Sequence, residues 1–284
     1  MKPLIVAIHG ILTSQTDASW PDAFDAWMYR RDPEVKVLKK EYRAGPFPRW
    51  NCWVKDPLLA RGLANELELF RSHTLPPVWF VAHSNGAVIA LLATKRLIAR
   101  GCWTGGLILT GAACEADIGN NGVLEWRRAG VLRAAIAYCS SDDQVLDGDP
   151  REHREGKHKI QADSEIQHPV WTCARDLRSR LLSYGFSRLR SWLWGRLMWP
   201  YGCLGRTGWL LHSQPLASSI NCPGPIPCST LEVGCSKFEV QVPILTRWYP
   251  GGHSTYFTPE NRERTFEQIY QDITLLNPQP NSSS

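Results

Sequence analysis

Nowhere in the 284 residues does an uninterrupted apolar run approach the ~18 needed to span a bilayer, which argues against a transmembrane helix. A signal-peptide core is missing as well. Met1-Lys2-Pro3 leads into the short run Leu4 to Ile8 and then His9-Gly10, without a cleavage site, so a cytoplasmic protein is expected. The nine cysteines have no CxxC spacing and are odd in number. They outline neither a complete disulfide framework nor a zinc site, and reduced thiols are the expectation. The glycine-rich stretches Trp199-Pro200-Tyr201-Gly202 and Gly205-Arg206-Thr207-Gly208 lack the lysine and spacing of a phosphate-binding loop. No internal repeat is present.

What remains is an ordinary globular composition, 43% hydrophobic and 21% charged, of a length that suits one well-cored domain with an insert. The net charge of +5 is local: residues 151–200 carry ten Arg/Lys against five Asp/Glu, which equals the whole excess. No nucleic-acid motif accompanies that charge, so nucleic acid is not an expected partner. Thirteen tryptophans are many for this length, and such side chains concentrate in cores, apolar pockets and interfaces.

Through the first half, short apolar runs alternate with helical patterns. Leu4–Ile8, Val35–Tyr42, Val78–Ala82, Gly106–Ala112 and Leu132–Cys139 read as strands, and Phe238–Trp248 as the last one. Alternation of this kind predicts a mainly parallel sheet of about six strands with helices on both faces. Pro57 to Ser72 and Asn85 to Arg100 read as helices, and a carboxyl-terminal helix is expected to begin at Thr258-Pro259-Glu260. Residues 147–235 break the rhythm, first polar, then Arg- and Trp-rich, then rich in Gly, Pro, Ser and Cys. The division that follows is a core of residues 1–146 and 236–276, a helical or irregular lid insert at 147–235, and a flexible tail at 277–284.

The sharpest local signal is the apolar strand Val78-Trp79-Phe80-Val81 running into Ala82-His83-Ser84-Asn85-Gly86 and then a helix. A nucleophilic serine on a strained strand-to-helix turn needs small residues two positions to each side, because bulk there collides with neighbouring backbone. The free N–H groups and dipole of the following helix then face a developing oxyanion.

This pattern resembles the GxSxG motif of α/β-hydrolase serine enzymes of the esterase and lipase type, over roughly residues 3–146 and 236–276. Alanine in place of the first glycine is a departure, one methyl in size, that several lipase-like members of the superfamily share. The resemblance implies the α/β-hydrolase fold and a Ser84 nucleophile. It further implies an oxyanion hole from the N–H groups of Ile11, after His9-Gly10 at the end of the first strand, and of Asn85. The base is expected after the last strand, where Trp248-Tyr249-Pro250-Gly251-Gly252-His253 offers His253 on a glycine-loosened loop. His83 in the elbow is expected to point away from substrate, and His153, His158 and His168 read as solvated imidazoles of the insert rather than a metal site. The acid is expected after Leu132–Cys139, in Ser140-Ser141-Asp142-Asp143-Gln144-Val145. The superfamily's Asp two residues before a valine favours Asp143 over Asp142, with Asp147 a third candidate. Ser, Asp, His is the α/β-hydrolase order.

Such a triad needs neither metal nor organic cofactor. A small-molecule or lipid ester is the expected substrate, with thioester hydrolysis or acyl transfer served by the same triad. A non-catalytic hydrolase-fold protein that binds anionic surfaces is a further alternative. Leu12, Phe47, Trp50 and Trp53 lie in loops after strands and are candidates to wall a pocket; the aromatics equally suit packing over the sheet edge. Trp192 belongs to Arg175–Trp199, which reads as a basic amphipathic helix pair, either a cap on the core or a surface for peripheral contact with anionic membrane.

Overall fold

A computed structural model describes residues 2–10, 19–42, 51–69, 77–102, 104–143, 146, 202, 204–211, 214–215, 228–231 and 244–277. In chain order the elements begin with strand β1 (Leu4–Ile8), helix α1 (Trp20–Arg31) and β2 (Lys36–Lys40). A π-helical turn (Asn51–Lys55) runs into α2 (Asp56–Leu69), followed by β3 (Val78–His83), α3 (Gly86–Ala99), β4 (Thr104–Thr110), α4 (Val123–Arg128) and β5 (Leu132–Cys139). A short α5 (Leu204–Thr207), β6 (Leu210–Leu211), β7 (Gln214–Pro215), β8 (Cys228–Leu231) and β9 (Ile244–Trp248) precede the last helix, α6 (Arg262–Leu276).

Seven strands form one sheet in the order β2-β1-β3-β4-β5-β9-β8, parallel throughout except for the antiparallel edge strand β8. Side-chain alternation along each central strand divides the core. Val6, Ile8, Phe80, Ala82, Leu107 and Leu109 pack towards α2 and α3, whereas Ile5, Ala7, Trp79, Val81 and Ile108 pack towards α1 and α6. Both faces are buried, which explains why these strands read as continuous apolar runs. Sheet order and crossover helices make this the expected α/β-hydrolase fold. The chain goes from β1 outward to β2 and returns to β3 on the other side of β1. That reversal of direction places a crevice between the carboxyl ends of β1 and β3, where ligands bind in open α/β sheets.

Three expectations need correction. The last helix starts at Arg262: Thr258-Pro259-Glu260 instead forms a turn in which the Thr258 carbonyl accepts the N–H groups of Asn261 and Arg262. Asn277 is not part of a loose tail, for it is buried and accepts a hydrogen bond from Arg133 at 2.9 Å. Composition also misplaces the limit of the core, since β8 belongs to the main sheet and Leu204 and Trp209 are buried in its core. The Ser140 N–H donates to the Gly205 carbonyl, which knits α5 to the end of β5. Helix α1, carrying buried Phe24 and Met28, was not anticipated from the sequence. Among the described residues no helix is long and apolar enough to cross a membrane.

Candidate active site

Register carries the ends of the central strands to one edge. Ile8 pairs with Ala82, His83 with Thr110, Thr110 with Tyr138, and Cys139 with Trp248. The loops that follow β1, β3, β5 and β9 therefore leave the sheet side by side. Ser84 follows β3 with φ +54°, the one positive value outside glycine among the described residues. Serine tolerates that conformation at a cost of order 1–3 kcal/mol, and such strain persists only where the surroundings over-determine it. Here they do: the Ser84 N–H donates to the Thr110 carbonyl, and its own carbonyl accepts from Ala87 and Ala113. Glycine is required on both sides of this turn. A Cβ on Gly86 would lie 2.6 Å from the His9 carbonyl oxygen, and one on Gly10 would lie 2.7 Å from the Ser84 Cβ.

Ser84, His253 and Asp143 come together. Ser84 Oγ lies 2.8 Å from His253 Nε2, and His253 Nδ1 lies 2.7 Å from Asp143 Oδ2. Asp143 is fully buried, and its Oδ1 accepts the Leu146 N–H, while Asp142 is exposed. The turn that separates these neighbours is closed by the Asp143 N–H on the Ser140 carbonyl, and the Ser140 hydroxyl in turn donates to the Gly251 carbonyl on the loop of the histidine.

Asn85 caps α3 without using its side chain on the helix. Its peptide N–H has no acceptor among the described residues, as an oxyanion donor requires. The amide is turned towards Tyr42 Oη at 3.0 Å and Asp56 Oδ1 at 3.1 Å. His9 stacks on Tyr42 with ring centroids 4.8 Å apart, and its Nε2 accepts the Tyr42 N–H at 2.8 Å. His83 packs against His253 and donates from Nε2 to the His253 carbonyl at 3.0 Å. Burial, together with the neighbouring His253, holds the His83 imidazole down at about 3, so it is neutral.

Several expected site residues lie outside the described residues: Ile11, Leu12, Phe47, Trp50 and Trp192, together with Asp147, the three histidines of the insert and the segment 175–199. Trp53 is described and is 68% exposed, on the π-helical turn, instead of enclosed in a pocket wall. Asp56, Tyr42 and the hydrogen-bonding role of His83 were missed. A signal for Asp56 was available, because it shares the stripe of Ala60, Leu63 and Leu67, where a carboxylate is out of place.

No protein-family model matches the chain, and no curated protein matches it. Among solved structures, the RedJ thioesterase of the prodiginine biosynthetic pathway in Streptomyces coelicolor is 18% identical, covering 50% of this chain and 68% of its own, with a TM-score of 0.32. The NocB thioesterase domain of the nocardicin cluster is 13% identical over 95% of this chain and 93% of its own, with a TM-score of 0.41. A YdeN-like hydrolase from Pectobacterium atrosepticum is 13% identical over 98% and 94%, with a TM-score of 0.36. Likeness of this degree carries no functional argument, so the reading of function rests on the geometry of this chain.

Proposed function

We propose that the protein is a serine hydrolase that cleaves carboxylic esters through an acyl-enzyme on Ser84. The observation that carries this reading is the continuous chain Ser84 Oγ, His253 Nε2, His253 Nδ1, Asp143 Oδ2, with links of 2.8 and 2.7 Å, on a serine held at φ +54°.

His253 Nε2 takes the Ser84 proton as Oγ attacks the acyl carbon, and the carbonyl oxygen becomes an oxyanion. The Asn85 N–H stabilises that charge, jointly with Ile11 by resemblance; one such donor is worth about 2.7–4 kcal/mol in another hydrolase. As the tetrahedral adduct collapses, His253 returns the proton to the leaving alkoxide. Water then enters, loses a proton to Nε2 and attacks the acyl-enzyme, and Ser84 regains its proton as the acid departs. Asp143, fully buried beside Nδ1, holds the imidazole in the tautomer that leaves Nε2 free to accept.

Labelling with a fluorophosphonate, combined with hydrolysis of p-nitrophenyl esters and the matching thioesters, tests the proposal. Wild type is expected to label and to hydrolyse, and Ser84→Ala to do neither while melting as wild type does. Labelling retained by Ser84→Ala overturns it, and a clear preference for thioesters changes the substrate class while keeping the triad.

A further inference from the structure

Asp56 is a buried carboxylate that the triad does not use. It starts α2, is wholly inaccessible, and has Asn85 as the hydrogen-bond partner of its Oδ1. Its Oδ2 and the Asn85 Oδ1 have no partner among the described residues, an uncommon state for buried polar atoms. The Asn85 amide is held between two elements, Asp56 at the start of α2 and Tyr42 beyond the end of β2. Tyr42 is in turn braced on His9, two residues before Ile11. One polar chain thus joins the residue after the nucleophile to the strand end from which the other oxyanion donor is expected.

We infer that Asp56 is a positioning residue for acyl transfer: its carboxylate, with Tyr42, fixes the Asn85 side chain and through it the Asn85 peptide N–H, so that turnover requires Asp56 ionised as well as His253 neutral. The inference rests on the serine-hydrolase reading of Ser84.

An ionised Asp56 is a charge-assisted acceptor for Asn85 Nδ2. Protonation removes that charge and adds a donor to a closed cluster, where the unpaired acceptor is Asn85 Oδ1. Pairing the new proton with Oδ1 requires the Asn85 amide to turn, which gives up its present bonds to Tyr42 and Asp56. The titratable groups around Asp56 are Lys55 on the preceding turn, Tyr42 beyond β2, and His9 behind Tyr42. Burial holds the His9 imidazole below its usual range, and Lys55 favours the Asp56 carboxylate. Burial outweighs Lys55 and Asn85 and pushes the carboxyl up to about 7, so the change of state falls within the working range of an esterase assay.

The test is the pH dependence of p-nitrophenyl acetate hydrolysis by wild type, Asp56→Asn and Asp56→Ala, with fluorophosphonate labelling and melting curves for each. Two deprotonations give wild type a limiting acid-side slope of two in log kcat/KM against pH. Asp56→Asn, which keeps the shape and cannot ionise, is expected to show a slope of one. Asp56→Ala and Asp56→Asn, neither of which supplies the ionised acceptor, are both expected to lower kcat by about 10- to 100-fold with KM within about threefold. Should the alanine variant not fold, wild type and Asp56→Asn still decide the matter by slope, which a purely structural role leaves unchanged. Equal slopes in wild type and Asp56→Asn, in a wild type that labels and turns over, overturn the inference alone. A wild type that neither labels nor hydrolyses overturns it together with the reading of Ser84.

Discussion

His83 Nε2 lies 3.0 Å from the carbonyl oxygen of His253, so the residue before Ser84 grips the main chain of His253. Ser84 and His253 stand on loops of different strands, and this bond links the two without passing through Ser84 Oγ or His253 Nε2. The grip is independent of pH near neutrality, because the neutral imidazole carries the donated proton. Replacement by phenylalanine removes the donor and leaves the His253 carbonyl to find another. A His253 displaced by even 1 Å costs turnover about 100-fold, so His83→Phe is expected to lower kcat by about 10- to 100-fold. His83→Gln, whose Nε2 reaches the same point, is expected to stay within about fivefold of wild type. Steady-state kinetics of both variants check the ranking, and equal losses would make His83 a packing residue only.

Asp143 and Asp142 are neighbours with opposite fates, one fully buried on His253 Nδ1 and the other exposed. Asp143→Asn replaces the acceptor by an amide that cannot hold the correct tautomer, a change that costs roughly 10⁴ in the template triad. Asp142→Asn is expected to alter kcat by less than about threefold. Single-turnover acylation rates distinguish the two, and the reverse ranking would reject Asp143 as the acid.

Glycine at the elbow is required by contact, and glycine in the middle of α2 is not. An added methyl on Gly86 meets the carbonyl oxygens of Ile8 and His9 at 2.7 and 2.6 Å, main-chain atoms that cannot swing aside. Gly86→Ala is therefore expected to destabilise by about 1–3 kcal/mol and to depress labelling of Ser84. Gly62, in the middle of α2 with nothing within 4 Å of its added Cβ, is the internal contrast. Gly62→Ala is expected to stabilise by about 0.5–1 kcal/mol at unchanged activity. Thermal melts of the pair measure both signs.

These residues also mark how far the sequence could be read. Ser84, Asp143 and His253 each stand just past an apolar run, and a parallel sheet gathers strand ends at one edge, so their order along the chain was enough to bring them together. Asp56 has no such marker: an acid at the start of a helix looks like an ordinary partner of the helix dipole until its stripe is compared with Leu63 and Leu67. Pairing of β8 with β9 was illegible for another reason. Cys228-Ser229-Thr230-Leu231 carries no alternation to distinguish it from the glycine- and proline-rich stretch around it, and tertiary pairing decides its state.

Two buried groups give the stability of the fold a pH dependence of opposite sign. Burial raises the Asp56 carboxyl from 3.8 to about 7, so its neutral form is favoured in the fold. Its contribution is fully present below 3.8 and is lost as pH rises through 7, where the fold must hold a buried charge. Burial and the neighbouring His253 lower the His83 imidazole from 6.5 to about 3, again favouring the neutral form. That contribution is present above 6.5 and is lost as pH falls towards 3. Between 3.8 and 6.5 the two oppose each other in wild type, and single substitutions separate them. Asp56→Asn removes the loss on the alkaline side, so its melting temperature is expected to gain on that of wild type between pH 5 and pH 9. His83→Gln removes the loss on the acid side and is expected to gain on wild type between pH 7 and pH 5. Each kcal/mol corresponds to about 2–4 °C for a chain approaching this size, which calorimetry at the three pH values resolves. Melting profiles that run parallel to wild type at every pH would show that neither group is held neutral by the fold.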